Sequence, residues 1–309
     1  MTTCTLRRIR PWLGTYVHID VTAADEHVAE TALQAAFEEI AAVHHAMSFH
    51  SQDSDVSRLN REAHLHSVVV GANTLAVLVA ARRFAQLSGG LFDPSIAPAL
   101  VQHGMLPSPA ASDAHKGASW EDIEIIDDGS VRFQRPLWID LGGIAKGYAV
   151  DRAIDALERL GVQDACVNAG GDLRHFSRLG QRHPLAVRHP GDASQSIPLG
   201  HIANKAVASS GDFLLGRRGD QANASPIVHP RRGVAQSRPR SVTVIAGTCC
   251  EADALAKIVS LLGRDASPLL VELGASAAII EAPDTLQASP GFWSALGHDA
   301  PLGRQPLHA

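Results

Sequence analysis

The chain has 309 residues, 45% of them apolar and 19% charged, which excludes a disordered or fibrous protein and leaves room for about two domains or one large one. With 27 Lys and Arg against 32 Asp and Glu, the formal charge is −5 and the pI about 6.3. A nucleic-acid or polybasic membrane binder needs a concentrated positive field, so neither is expected, and no nucleic-acid partner is assigned. No window reaches the roughly 18 uninterrupted apolar residues of a transmembrane helix. Arg7, Arg8 and Arg10 are followed by no apolar run of the kind a secretory leader carries. A cytoplasmic location is therefore the expectation, with export left open for a chain whose leader has been removed. Cys4, Cys166, Cys249 and Cys250 show no C-x-x-C spacing and read as small apolar residues rather than as metal ligands.

The elements follow in order. Thr15 to Val21 alternates as a strand does, and Asp25 to Met47 repeats apolar residues at helical spacing through Val28, Ala32, Ala36, Ile40 and Val43. A second helix is predicted from Thr74 to Leu87, with Asn73 as N-cap and Gly89-Gly90 as its stop. Pro107 to Ser119 reads as loop. A hairpin turns at Asp127-Asp128-Gly129, between Ile123–Ile126 and Val131–Phe133. The helix from Ala145 to Leu160 carries Val150, Ala153, Ile154 and Leu157 as its buried stripe and ends at Gly161. Strands are predicted at Ala165–Asn168, Leu185–Arg188, Leu199–Ala203 and Val242–Ala246, with a long loop from Gly216 to Arg240. Thr248 caps a last clear helix, Cys249 to Leu262, and Glu251 completes a capping box. Residues 283–309, with four prolines, read as a surface tail. Helices and strands mix without a βαβ rhythm, so the class is α+β, with mixed or antiparallel sheets and flanking helices.

Four segments have the composition of a polar small-molecule site. In Asp140-Leu141-Gly142-Gly143-Ile144-Ala145-Lys146-Gly147, a strand ends in an acid, two glycines turn the chain, and a lysine enters the first turn of a helix. Lysine opposes the dipole there by about 0.3–1 kcal/mol unless it and the free N–H groups hold an anion together. On pattern alone, an ordinary glycine turn with a solvated lysine is an equal reading. Gly89-Gly90-Leu91-Phe92-Asp93-Pro94-Ser95, Asn168-Ala169-Gly170-Gly171-Asp172 and Ser209-Ser210-Gly211-Asp212 pair close backbone approach with a carboxylate in the same way. Each alone is as well explained as a tight turn.

The order of these motifs resembles that of the ApbE family of flavin transferases, from about Arg10 to Gly263. The matching run also takes in Leu13-Gly14-Thr15, Met47-Ser48-Phe49, Ser54-Asp55-Val56-Ser57-Arg58-Leu59-Asn60, Pro230-Arg231-Arg232-Gly233 and Ala252-Asp253-Ala254-Leu255-Ala256. The resemblance implies one ApbE-like domain over residues 1–282. It also implies that FAD is the substrate and that magnesium assists transfer of FMN to a threonine or serine hydroxyl of an acceptor flavoprotein, with AMP released. Some members of the family hydrolyse FAD instead. By motif, the metal would be held by the Gly143 carbonyl, Asp253, and oxygens at Ala256 and at the position of Lys257. Phe49, Phe92, Asp93, Ser95, Gly170, Gly171, Asp172, Ser210, Gly211 and Asp212 would surround the flavin nucleotide, and Lys146 would offset phosphate charge.

Two positions depart from the family pattern. Lys257 stands where the family usually has threonine. An ammonium has no lone pair to give, and at about 4 Å and an effective dielectric of about 20 it would repel a divalent ion by about 8 kcal/mol. Lys257 either turns away from the metal or replaces it beside Asp253; a solvated i, i+4 ion pair on one helix face is the alternative. In the loop, the family's His-Ile-Ile-Asp-Pro-Arg-Thr-Gly is here Ile227-Val228-His229-Pro230-Arg231-Arg232-Gly233 preceded by Pro226. His229 is then a candidate proton acceptor or an ordinary surface histidine. Beside a working transferase stand two further readings: an FAD pyrophosphatase, and an FAD-binding carrier or sensor that has lost catalysis.

Overall fold

Residues 4–23 close on themselves as a hairpin: β1 (Cys4–Trp12) pairs antiparallel with β2 (Thr15–Ala23), Cys4 opposite Ala23 and Trp12 opposite Thr15. The computed structural model describes residues 3–111, 113–190, 192–211, 227–235, 240–281 and 285–298. Next come α1 (Glu26–Met47), α2 (Asp55–Glu62), β3 (Val68–Val69), α3 (Ala72–Leu87), a 3-10 turn Pro94–Ile96 and α4 (Ala97–Gln102). The chain continues through β4 (Ile123–Ile125), β5 (Ser130–Phe133), α5 (Ala145–Arg159), β6 (Asp164–Ala169), β7 (Asp172–Ser177), β8 (His183–His189), β9 (Asp192–Ile202) and β10 (Ala206–Gly211). It ends in β11 (Val228–His229), β12 (Val234–Ala235), β13 (Arg240–Ala246), α6 (Cys249–Leu262), α7 (Ser267–Glu272), β14 (Ser276–Glu281), β15 (Thr285–Ala288) and α8 (Phe292–Ala295). Every strand pairing among the described residues is antiparallel. The expected α+β class holds. Among the described residues, no helix is long and apolar enough to cross a membrane.

The chain gathers into two compact units, residues 1–41, 146–223 and 237–309 in one, and 42–145 with 224–236 in the other. The first unit is built on an eight-stranded sheet in the order β1-β2-β6-β7-β10-β13-β14-β15. Alternation assigns its two faces. Val17, Ile19 and Val21 of β2 lie opposite Ala169, Val167 and Ala165 of β6, all fully or almost fully buried. On the other face, Cys166, Leu173, Val207, Ile245, Ala278 and Ile280 meet the β8–β9 ribbon through Leu185, Val187 and Leu199, and α8 through Phe292 and the Leu296 that follows it. The helix α6 packs on β10 and β13, whose residues from Ser241 to Ala246 are all buried. Arg152 of α5 reaches Glu39 of α1 at 3.1 Å, and Arg10 of β1 lies over the Phe37 ring at 4.4 Å.

The second unit packs α2, α3 and α4 with the short sheet β3-β5-β4. Ser54 caps α2 by accepting from the Ser57 N–H at 3.1 Å, and its hydroxyl donates to the Ser48 carbonyl at 2.7 Å. The buried Asn60 clasps the backbone of Ile139, accepting from its N–H at 2.8 Å and donating to its carbonyl at 3.1 Å. The Ser54–Asn60 motif therefore builds this unit. Asn73 is not the N-cap of α3: the helix starts after Gly71, whose N–H donates to Asp55 at 2.9 Å, and the Thr74 hydroxyl donates to the same carboxylate at 2.7 Å. A carboxylate brought in from another helix does what the local sequence was expected to do. Of residues 283–309, the described 285–298 include β15, paired with β14, and the fully buried Phe292.

Candidate functional site

Three motifs far apart in sequence meet in the first unit. Lys146 lies in the first turn of α5, Asp172 at the start of β7 and Asp253 in the first half of α6. The Lys146 ammonium forms an ion pair with Asp172 and stands 3.6 Å from Asp253 Oδ2. That same oxygen accepts from the Gly147 N–H at 3.0 Å. One helical turn on, Lys257 pairs with Asp253 Oδ1. Asp253 is fully buried and Asp172 almost so, while the side chains of Lys146 and Lys257 keep 31% and 21% of their surface exposed. Two buried carboxylates thus alternate with two part-exposed ammonium groups, and the row is neutral as a whole. Burial opposes the Lys146 charge, but Asp172 and Asp253 outweigh it and hold the amine above its ordinary pKa. Burial pushes the Asp172 carboxyl up, as does Asp253, against the pull of Lys146.

Backbone geometry explains the glycines around this row. Gly170 and Gly171 form the two-residue turn between β6 and β7 with φ of +66° and +105°, and a primed hairpin needs positive φ at both places. A Cβ on Gly170 would also come within 2.7 Å of the Thr15 hydroxyl. Ser209, Ser210 and Gly211, expected in a turn after a strand, lie within β10 itself, with Ser210 opposite Val242 and Gly211 opposite Ser241. The reason is pairing: β13 continues the ladder past the point where small residues suggested a stop. Asp212, Pro226 and most of the 216–240 loop lie outside the described residues.

In the second unit, Phe49 and Phe92 are both buried, and Phe92 meets Phe84 edge to face at 6.3 Å. Asp93 accepts from the Ser95 N–H at 2.8 Å and from its hydroxyl at 2.7 Å, which caps the 3-10 turn. Burial raises its pKa, and the Ser95 hydrogen bonds hold it back. Gly143 lies half-buried in the turn leading to α5, where Gly142 donates to Asp140 at 3.1 Å. The segment 227–235 is tied down within this unit: Arg231 donates to the Gly89 carbonyl, and His103 Nε2 meets the Gly233 carbonyl at 2.7 Å. His229 has a buried Nδ1 with no hydrogen-bond partner among the described residues; burial, then Arg232 and Arg231, lower its pKa, against a backbone hydrogen bond that raises it.

The residues of the first unit do not fit a divalent cation. Both Asp253 oxygens are engaged, Lys257 offers no lone pair, and the Ala256 carbonyl accepts from the Ser260 hydroxyl at 2.7 Å. Among the described residues, no group of three or more His, Cys, Asp or Glu side chains is placed to hold a metal. Sequence reasoning passed over Asp151. Its buried carboxylate accepts from the N–H groups of Cys249 and Cys250 at 2.9 and 2.8 Å, pairs with Arg174 at 3.0 Å, and so anchors the start of α6. The available signal was a carboxylate four residues after Gly147, on the helix stripe that the glycine marks for close packing.

The ApbE family model matches residues 13–280. The FAD:protein FMN transferase of Vibrio cholerae is 27% identical over 279 residues, covering 85% of this chain and 83% of its own. Among solved structures, the ApbE protein of Thermotoga maritima superposes with a TM-score of 0.80 at 27% identity, over 95% of this chain and 99% of its own. A single-substitution variant of the V. cholerae flavin transferase ApbE gives 0.79 at 25% identity, over 96% of this chain and 100% of its own. With the motifs in family order and the fold shared throughout, the chain belongs to the ApbE family.

Proposed function

We propose that the chain is an FAD:protein FMN transferase. The acceptor is a threonine or serine hydroxyl of a flavoprotein. Its oxygen attacks the phosphorus of the FMN half, the bond from that phosphorus to the AMP phosphate breaks, and AMP leaves with the electron pair. The observation that carries this reading is the meeting of Lys146, Asp172 and Asp253, which come from three separate family motifs. An ammonium has three N–H donors. Lys146 and Lys257 use some on the carboxylates, and both stay part-exposed, so donors remain to meet anionic phosphate oxygens. Gly170, Gly171, Ser210 and Gly211 of the first unit belong to the nucleotide site in this reading, and Ala256 to its phosphate end. In this reading His229 takes the proton from the acceptor hydroxyl, as an imidazole that titrates near neutral pH can.

The test is to incubate purified protein with FAD and a threonine-bearing acceptor domain, and to follow acceptor mass and AMP. The expected result is an acceptor heavier by one FMN, with one AMP released for each. Free FMN with AMP and an unmodified acceptor would make the protein a pyrophosphatase instead. FAD bound and unchanged would make it a carrier. Replacing His229 by Gln is expected to slow transfer on the order of 100-fold, as loss of a general base does.

A further inference from the structure

Asp253 has no exposed surface, and in the first unit it is surrounded by donors. Gly147 N–H and Lys146 face one oxygen, and Lys257 faces the other. A buried carboxylate is stable only when paired, and here the partner is a side chain of the same helix, four residues on, where α-helical geometry brings the two groups together without any third species. We infer that the Lys257 ammonium occupies the place of a divalent cation beside Asp253, so that this chain engages the diphosphate of FAD without one. The inference rests on the transferase reading for its ligand.

Charge and hydrogen-bond donors distinguish the two arrangements. A divalent ion against Asp253 would leave one net positive charge for the phosphates. Lys257 against Asp253 leaves none, but the ammonium keeps N–H donors that a phosphate oxygen can accept, and it stays 21% exposed. It is a fixed donor carried by the chain. A metal, in contrast, must be recruited and would sit against this ammonium.

FAD affinity and AMP release are to be measured with EDTA and with magnesium, for the wild type and for Lys257→Thr, Lys257→Met and Lys257→Arg. Manganese binding to each is followed by electron paramagnetic resonance. The wild type is expected to bind FAD equally well in both conditions and to hold no stoichiometric manganese. In EDTA, Lys257→Thr is expected to lose about tenfold or more in affinity and to recover it with magnesium. Lys257→Met is expected to lose it without recovery, and Lys257→Arg, which keeps the charge, to stay independent of the metal. A wild type whose FAD affinity falls tenfold in EDTA overturns the inference, and so does a Lys257→Thr that binds as well as wild type in EDTA. Stoichiometric manganese in the wild type that disappears in Asp253→Asn overturns it whatever FAD does. If FAD binds in neither condition, the transferase reading falls, and the manganese measurement alone decides between metal and ammonium.

Discussion

A methyl group on Gly147 would run into the Cys249 carbonyl and come within 2.9 Å of the Asp253 Cβ. Neither neighbour has room to yield, because one is backbone and the other is fully buried. Gly147→Ala is therefore expected to cost about 1–3 kcal/mol, read as a lower urea midpoint with an unchanged slope. It should also disturb the Gly147 N–H bond to Asp253. Asp253→Asn is expected to cost about 3 kcal/mol or more, because it strips a buried ion pair of its acid and leaves the ammonium of Lys257 unanswered. Adding Lys257→Met should recover part of that loss, and a double-mutant cycle that proves additive would refute the coupling. At this scale the sequence was legible where a family motif named the residue: Lys146, Asp172, Asp253 and Lys257 do meet. Asp151 was not, because its partners, the N–H groups at the start of α6, are near it only in the fold.

The strands β6, β7 and β8 bring a second set of titratable groups together on the face away from α6. His175 is 2% exposed, its Nε2 is 3.4 Å from Asp164, and its ring stacks on His183 at 5.7 Å. Burial lowers the pKa of both histidines, and His175 lowers that of His183 further; Asp164 pulls back on both, with Asp20 also raising His183 and Arg7 opposing it. A histidine with a depressed folded pKa takes up its proton more readily in the unfolded chain. Stability is therefore intact above the ordinary value of about 6.5 and falls as the pH drops through the folded value. Melting temperature followed downward from about pH 7.5 should fall more steeply for wild type than for His175→Gln, which cannot titrate; parallel curves would rule this out. Elements with a strong period were legible: α1, α5 and α6 begin and end within about two residues of expectation. Missed were, among others, the strands β1, β7, β10, β14 and β15 and the short helices α2, α4, α7 and α8. Arginine-rich, polar or small-residue strands carry little periodicity, and only their partners make them strands.

Pairing across the whole chain governs how the protein opens. Val17 lies opposite Ala169, and the intervening sequence includes residues 42–145 of the second unit, so β2, already paired with β1, finds its second partner β6 only after that unit has been traversed. Such a topology is invisible to local pattern, which is why the order of motifs rather than the elements identified the family. Hydrogen exchange should be slowest in β2, β6, β7, β10, β13 and β14, which have a strand on each side, and fastest in the edge strands β1 and β15. Equal protection across the sheet, followed by mass spectrometry, would contradict this. Edge position also bears on how the protein behaves among copies of itself. The outer edge of β1 has no paired strand among the described residues, yet this strand carries Arg7, Arg8, Arg10 and Pro11. Arginines resist the approach of a like-charged edge, and proline has no N–H to offer a new neighbour. The same arginines that precede no apolar run in the sequence thus guard the edge of the eight-stranded sheet. Concentrated solutions should therefore resist growth of the sheet from one molecule into the next.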